Sequence, residues 1–198
     1  MPRKTNKIKS NRTILIVVEG SVEDYYFSQL KNFERISGLK IVSKIAPHSS
    51  IYHVLKTALM EETSKAYDSI WCVFDRDTTL NSNITSEVKK QFNDAKKKKI
   101  NFADSLPSLE LWFLLHYAIP KGYYANQNKL IIELQRYISN YSKERKWQES
   151  FRLYNTLKSR QNVALENAEK LNNKVKNEED LFCNVDKLIK EILENKTN

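Results

Sequence analysis

The stretch Thr13-Ile14-Leu15-Ile16-Val17-Val18-Glu19-Gly20 sets the terms on which the rest of the chain is read. Its β-branched and apolar residues run without alternation and stop at an acid and a glycine. A strand that is apolar at successive positions has to be covered on both faces, as strands are in a parallel sheet enclosed by helices. A second run, Ser69-Ile70-Trp71-Cys72-Val73-Phe74, also ends at acids, in Asp75-Arg76-Asp77.

Outward from these runs, strand and helix patterns alternate. After Gly20, Ser21 is placed to cap a helix, with Asp24 as the capping-box acid and Phe27, Leu30 and Phe33 along one face. Gly38 closes it. Leu39 to Ile45 reads as a second strand, and Ile51, Val54, Leu55, Ala58 and Leu59 recur at helical spacing. Ile84, Val88, Phe92 and Ala95 mark a third helix whose end, Lys96 to Lys99, puts cations at the negative pole of the helix dipole. Ile100 to Ala103 reads as a fourth strand.

Strands separated by helices need crossover connections, so the fold expected is α/β: a largely parallel, doubly wound sheet with ligands outside the carboxyl ends of its strands. After Ser105 the pattern is helical, with Ser108 capping Leu109 to Tyr117, then Lys129 to Ser142 and Leu181 to Leu193. The division expected is a basic N-terminal arm at 1–12, an α/β core at 13–118, and a helical extension at 119–198 packed on that core.

At 198 residues the chain suits one domain with a small extension. Its three glycines, Gly20, Gly38 and Gly122, exclude a P-loop and a GxGxxG cradle, so any nucleotide hydrolysis has to come from a partner ATPase. The formal charge is +9, of which Arg3, Lys4, Lys7, Lys9 and Arg12 supply five, so the remainder carries only +4. That arm reads equally as a phosphate-binding tail or a solubilising one. The longest apolar runs fall well short of the ~20 residues that span a bilayer, and no signal-peptide pattern follows the basic start. Two cysteines, Cys72 in a strand and Cys183 in a helix, make neither a disulfide framework nor a CxxC site. The compartment expected is a reducing cytosol; no membrane partner is expected, and oligomeric state stays open.

Glu19 and the Asp75/Asp77 pair both end core strands and so arrive at one edge of the sheet. Three carboxylates there repel one another unless a cation lies among them. Oxygen-only donors at this density suit Mg²⁺ or Mn²⁺ over zinc.

The order strand, helix, strand, helix, strand, with a Glu after the first strand and a DxD after the third, resembles the Toprim domain. Two longer strings narrow that resemblance. EGSVEDYYF at Glu19 to Phe27 is similar to the EGxSExxYF start of the RloB-like family, Toprim proteins found beside bacterial restriction and abortive-infection genes. SLPSLELWFLLHY at Ser105 to Tyr117 resembles that family's SNPSFELWLLLHF, departing at Leu106 and Leu109. The resemblance covers Ile14 to Tyr117.

It implies metal-dependent phosphodiester chemistry on DNA or RNA, tRNA included, in phage defence. Glu19 is then a general base or metal ligand, Asp75 and Asp77 are metal ligands, and Glu110 belongs to the active site. Glu23, one helical turn past Glu19, serves a second metal, aligns a water, or is simply a favourable acid in a first turn. Arg76 meets a phosphate oxygen or neutralises the acids. The alternative is a non-catalytic nucleic-acid-binding or regulatory subunit of a defence complex.

Other chemistries are poorly supplied. His48 and His53 lack zinc-site spacing, His116 reads as a packing or capping residue, and there is no GxSxG. The stretch holding Lys143, Arg145, Lys146, Trp147, Arg152 and Arg160 reads as a solvated face or as a surface for a nucleic-acid backbone.

Overall fold

In the computed structural model, which describes residues 11–76, 85–120, 122, 124 and 127–195, the first apolar run is an inner strand of a parallel sheet. β1 (Arg12–Val18) lies between β2 (Leu39–Ile45) and β3 (Ser69–Val73), and β4 (Asn101–Phe102) flanks β3, giving the order β2-β1-β3-β4. All of these pairings are parallel. Asp77, Ile84 and the arm residues Arg3, Lys4, Lys7 and Lys9 lie outside the described residues.

Ile14 through Val18 are 0% exposed. Successive strand residues face opposite sides, so this run feeds two cores. Ile14, Ile16 and Val18 join Val22, Tyr26, Phe27 and Leu30 of α1 (Ser21–Glu34), whereas Leu15 and Val17 meet Val54, Leu55 and Ala58 of α2 (Ile51–Thr63) and Ala95 of α3 (Ser86–Lys97). Each such side chain contributes about 1.5–3 kcal/mol by leaving water, which is why the run has no polar alternate. The doubly wound α/β arrangement expected from the sequence is the one found.

The first core continues into the C-terminal half. α4 (Glu110–Leu115) is buried along its whole length and packs against α5 (Gln127–Leu134) and α8 (Gln161–Asn172). α6 (Arg145–Ser150) and α7 (Leu153–Leu157) lie on α1, and Leu188, Ile189 and Ile192 of α9 (Val185–Glu194) join the same cluster. Arg12 and Trp71 of the sheet both reach Glu191 of α9, at 2.8 and 2.9 Å.

Several local expectations are corrected. Helix α1 starts at Ser21, but the cap position is Gly20 and no side chain caps it; Asp24 accepts from Ser43 Oγ at 2.6 Å instead. Arg35, with φ 41°, terminates α1 ahead of Gly38. Phe33 is 44% exposed and lies beside Tyr154 rather than in the core. Ser108 does not cap α4 through its hydroxyl, which donates to Glu110, and Leu109 holds the cap position.

The largest correction concerns Cys183. It is in β6 (Phe182–Cys183), antiparallel to β5 (Ser105–Leu106), and α9 begins only at Val185. The side-chain amide of Asn172 fixes that strand, donating to the Cys183 carbonyl at 2.8 Å and accepting from its N–H at 2.9 Å. Two-residue strands carry no periodicity for a sequence reading to find. Cys72 and Cys183 are both buried and unpaired. Among the described residues no helix is long and apolar enough to cross a membrane.

Candidate carboxylate site at the strand ends

The strand that carries Asp75 is steered by the chain entering α4. Asp75 bridges Ser105 in parallel, and Arg76 N–H donates to the Ser105 carbonyl at 2.8 Å. This extends β3 past Val73 and holds Asp75 level with the end of β1. The Asp75 N–H donates to Glu19 Oε2 at 3.4 Å, so the two acidic strand ends touch directly. Glu19 Oε1 accepts from Ser49 Oγ at 3.2 Å, in the loop between β2 and α2.

The Asp75 carboxylate accepts from the backbone N–H of Leu109 at 2.9 Å, where an anion meets the positive pole of a helix start. Glu110, 0% exposed, follows at once. Its Oε2 accepts from Ser108 Oγ at 2.7 Å and from Gln127 Nε2 at 3.0 Å. Its Oε1 accepts from Tyr141 OH at 2.8 Å and pairs with Lys143 Nζ at 3.3 Å. The same Gln127 amide also donates to Asp75 Oδ2 at 3.4 Å, tying the two acids together.

Glu23 completes the group from α1. It is 6% exposed, and burial pushes its carboxyl up to about 7; Glu110 and Glu19 add repulsion, while its own backbone N–H and Lys143 oppose the rise. A methyl group on Gly20 would stand 3.2 Å from Glu23 Oε2, so the glycine makes room for this carboxylate. Asp75 is held well above the ordinary aspartate range by burial first, then by Glu23 and Glu110. Burial works against the Lys143 charge, yet Glu110, Asp75 and Glu23 outweigh it and its pKa rises. The Tyr141 hydroxyl is pushed up by burial and by the Glu110 charge. Among the described residues Lys143 is the cationic side chain beside these four acids, and the surplus of negative charge adds to burial in raising the Glu23 and Asp75 carboxyls.

Of the acids singled out in the sequence, Glu19, Glu23, Asp75 and Glu110 meet at this point, and Asp77 lies outside the described residues. Arg76 does not join them. Its side chain pairs with Asp104 at 2.7 Å and lies over the Phe74 and Phe92 rings. Strand alternation is the reason, because consecutive residues face opposite sides of the sheet. Ser108, Gln127, Tyr141 and Lys143 give the site its donors, and no periodic or motif signal marked Gln127 or Tyr141. Lys143 turns inward, Arg145 pairs with Glu149 at 2.7 Å, Trp147 stacks on Phe151, and Arg160 lies over Tyr117, so the late basic stretch is not one continuous face.

Oxygen-only, anionic side chains are the kind a hard cation takes. As they stand the oxygens of Glu19, Asp75 and Glu110 are turned to protein donors, and among the described residues no three acid, histidine or cysteine side chains form a ready metal cage. His116 stays outside this chemistry: buried against Trp112, whose carbonyl accepts from its Nδ1 at 2.9 Å, it is held down to about 4, mainly by burial. The His48 and His53 rings lie 4.5 Å apart beside the Ser49 loop.

Fold and site together define a doubly wound α/β protein with an acidic centre at the carboxyl edge of its sheet. The chain belongs to the RloB-like protein family, whose model matches residues 14–192 and so takes in the C-terminal helices as well as the sheet. No curated protein and no solved structure matches it.

Proposed function

We propose that this RloB-like chain is a Mg²⁺- or Mn²⁺-dependent phosphodiester hydrolase acting on DNA or RNA in phage defence, in the cytosol, with nucleotide hydrolysis left to a separate ATPase chain. The observation that carries this reading is the contact of the Glu19 carboxylate with Asp75 N–H, which sets the two acidic strand ends side by side. Glu19, Asp75 and Asp77 would hold the cation. Once bound, it supplies Lewis acidity toward a phosphate oxygen and lowers the pKa of a water.

Hydrolysis adds water across one P–O bond: a proton leaves the attacking water and one reaches the departing oxygen. Glu23, at about 7, is divided between its two protonation states near neutrality and is suited to take or give that proton. Lys143 supplies positive charge beside the acids, where a phosphate would otherwise be repelled. Ser108 and Tyr141 fix the orientation of Glu110.

Incubating the isolated protein with Mn²⁺ or Mg²⁺ and either plasmid or tRNA tests this. Metal-dependent products that vanish in Asp75→Asn support it, whereas cleavage undiminished in that variant removes it. A second reading, a non-catalytic nucleic-acid-binding or regulatory subunit, draws on the protein donors that already satisfy Glu19, Asp75 and Glu110. Absence of product at every metal level favours it.

A further inference from the structure

Behind Arg76, on the side away from the carboxylates, lies an open cleft of ≈ 660 Å³. It is bounded by the β4 end of the sheet, by α8 with the turn after it, and by β6 and α9. That volume is in the range that accommodates small ligands. Its wall is held firmly. Asp104, 3% exposed, takes the Arg76 side chain at 2.7 Å on one oxygen and the Asn184 amide at 2.8 Å on the other. Asn172 is fixed by both backbone groups of Cys183. Such groups are oriented before any ligand arrives, which lowers the entropic cost of binding.

Within that frame Glu169 and Asn173 line the α8 side, and three further kinds of group face a ligand. Phe182 and Val175 offer apolar surface. Lys187 is exposed and forms no ion pair among the described residues, and Lys190 next to it is 42% exposed while paired to Asp186 Oδ2 at 3.1 Å. Asp186 itself is 3% exposed, and its Oδ1 has no partner. A buried acceptor without a donor costs about 1–3 kcal/mol, so a ligand N–H that reached it on a small shift of the side chain would be favoured.

A flat ring with N–H groups at its edge, joined to a phosphate, matches apolar surface, buried acceptor and paired cations at once. We propose that the cleft binds one nucleotide of the substrate strand, its base against Phe182 and its phosphate at Lys187 and Lys190. Arg76 lines the cleft and directly follows Asp75, so cleft and carboxylates share a continuous piece of backbone. A strand that passed from the carboxylates round the Arg76 edge of the sheet would bring another of its nucleotides to the cleft. In naming the ligand as part of a substrate strand, this assignment stands on the nuclease reading; the cleft as a nucleotide site does not.

The test is calorimetric titration of the full chain with 5′-nucleoside monophosphates in EDTA, for the natural protein, for Lys187→Ala/Lys190→Ala, and for Asp75→Asn. Lys187 is exposed, whereas Lys190 is the partner of buried Asp186, so the melting temperature of the double variant is compared with that of the natural protein, and Lys187→Ala alone replaces it if the fold is weakened. The expected result is saturable binding without metal, weakened about tenfold or more by the double lysine variant and unchanged by Asp75→Asn. No binding at millimolar nucleotide, or binding lost in Asp75→Asn and kept in the lysine variant, overturns it. Cleavage assays separate the two readings. Nucleotide binding without cleavage of any substrate leaves the cleft and removes the nuclease. Cleavage with the same KM in the lysine variant leaves the nuclease and removes the cleft from substrate binding.

Discussion

The backbone N–H of Asp75 donates to the carboxylate of Glu19, 56 residues earlier in the chain, so the ends of two parallel strands meet through a hydrogen bond and not only by proximity. Because the backbone makes this bond, a change of the Asp75 side chain leaves it in place. The carboxylate of Asp75 is then free to serve the site, subject to its own bonds to Leu109 and Gln127.

Asp75→Asn keeps an oxygen to accept from Leu109 N–H while removing the charge. Metal-dependent cleavage should fall by about two orders of magnitude or more, the scale on which removal of one electrostatic group acts in a water-poor site. Because burial and acidic neighbours disfavour that charge in the folded state, the melting temperature at neutral pH should be unchanged or higher. Thermal melts run beside the cleavage assay check both halves.

Glu23 holds its proton more tightly folded, at about 7, than unfolded, near 4.5. The stability this group adds is complete below about pH 4.5 and is lost as pH rises through 7. Glu23→Gln should therefore flatten the decline in stability between those limits and raise stability above pH 7. Urea unfolding at a series of pH values measures it; an unchanged slope in the variant contradicts it.

Adding Mn²⁺ should raise the melting temperature, since a ligand held only by the folded state stabilises it by about 2.7 kcal/mol at a hundred times its Kd. The gain should disappear in Asp75→Asn. A rise of equal size in both proteins places the ion elsewhere.

Tyr141→Phe deletes the O–H that meets Glu110 Oε1 and leaves Lys143 as that oxygen's partner among the described residues. Truncating one partner of a buried acid costs about 1–3 kcal/mol. Denaturant unfolding should show the loss. If Tyr141 fixes Glu110 for catalysis, kcat should drop with KM little changed.

Asn172→Ala removes both side-chain bonds to the Cys183 backbone. Loss of one partner from each leaves two backbone groups to find water, again about 1–3 kcal/mol. Amide exchange should accelerate at Cys183 and at its strand partner Ser105 before it does in β1.

The α/β class, the parallel sheet and the positions of Glu19 and Asp75 were legible because each depends on local pattern. Ile14 to Val18 has no polar residue to turn toward water, and the acids sit where such a run must end. Helix α2 begins at Ile51 as its spacing implied, with Ser50 accepting from His53 N–H as the cap. Misreadings gathered where the local signal was short or ambiguous: the cap of α1 and the two-residue strand at Cys183.

From its order of residues alone this chain was bound to build a parallel sheet that carries carboxylates at one edge, because burial requires apolar strands to be enclosed and their charged ends to emerge together. Tertiary packing alone decided which side chains answer those carboxylates. Gln127, Tyr141 and Lys143 come from segments 17, 31 and 33 residues beyond Glu110, and α4 lies under them only because its apolar surface is enclosed by α5 and α8. Hydrogen bonds of that kind have no periodicity, so they become visible only when the core has closed around them.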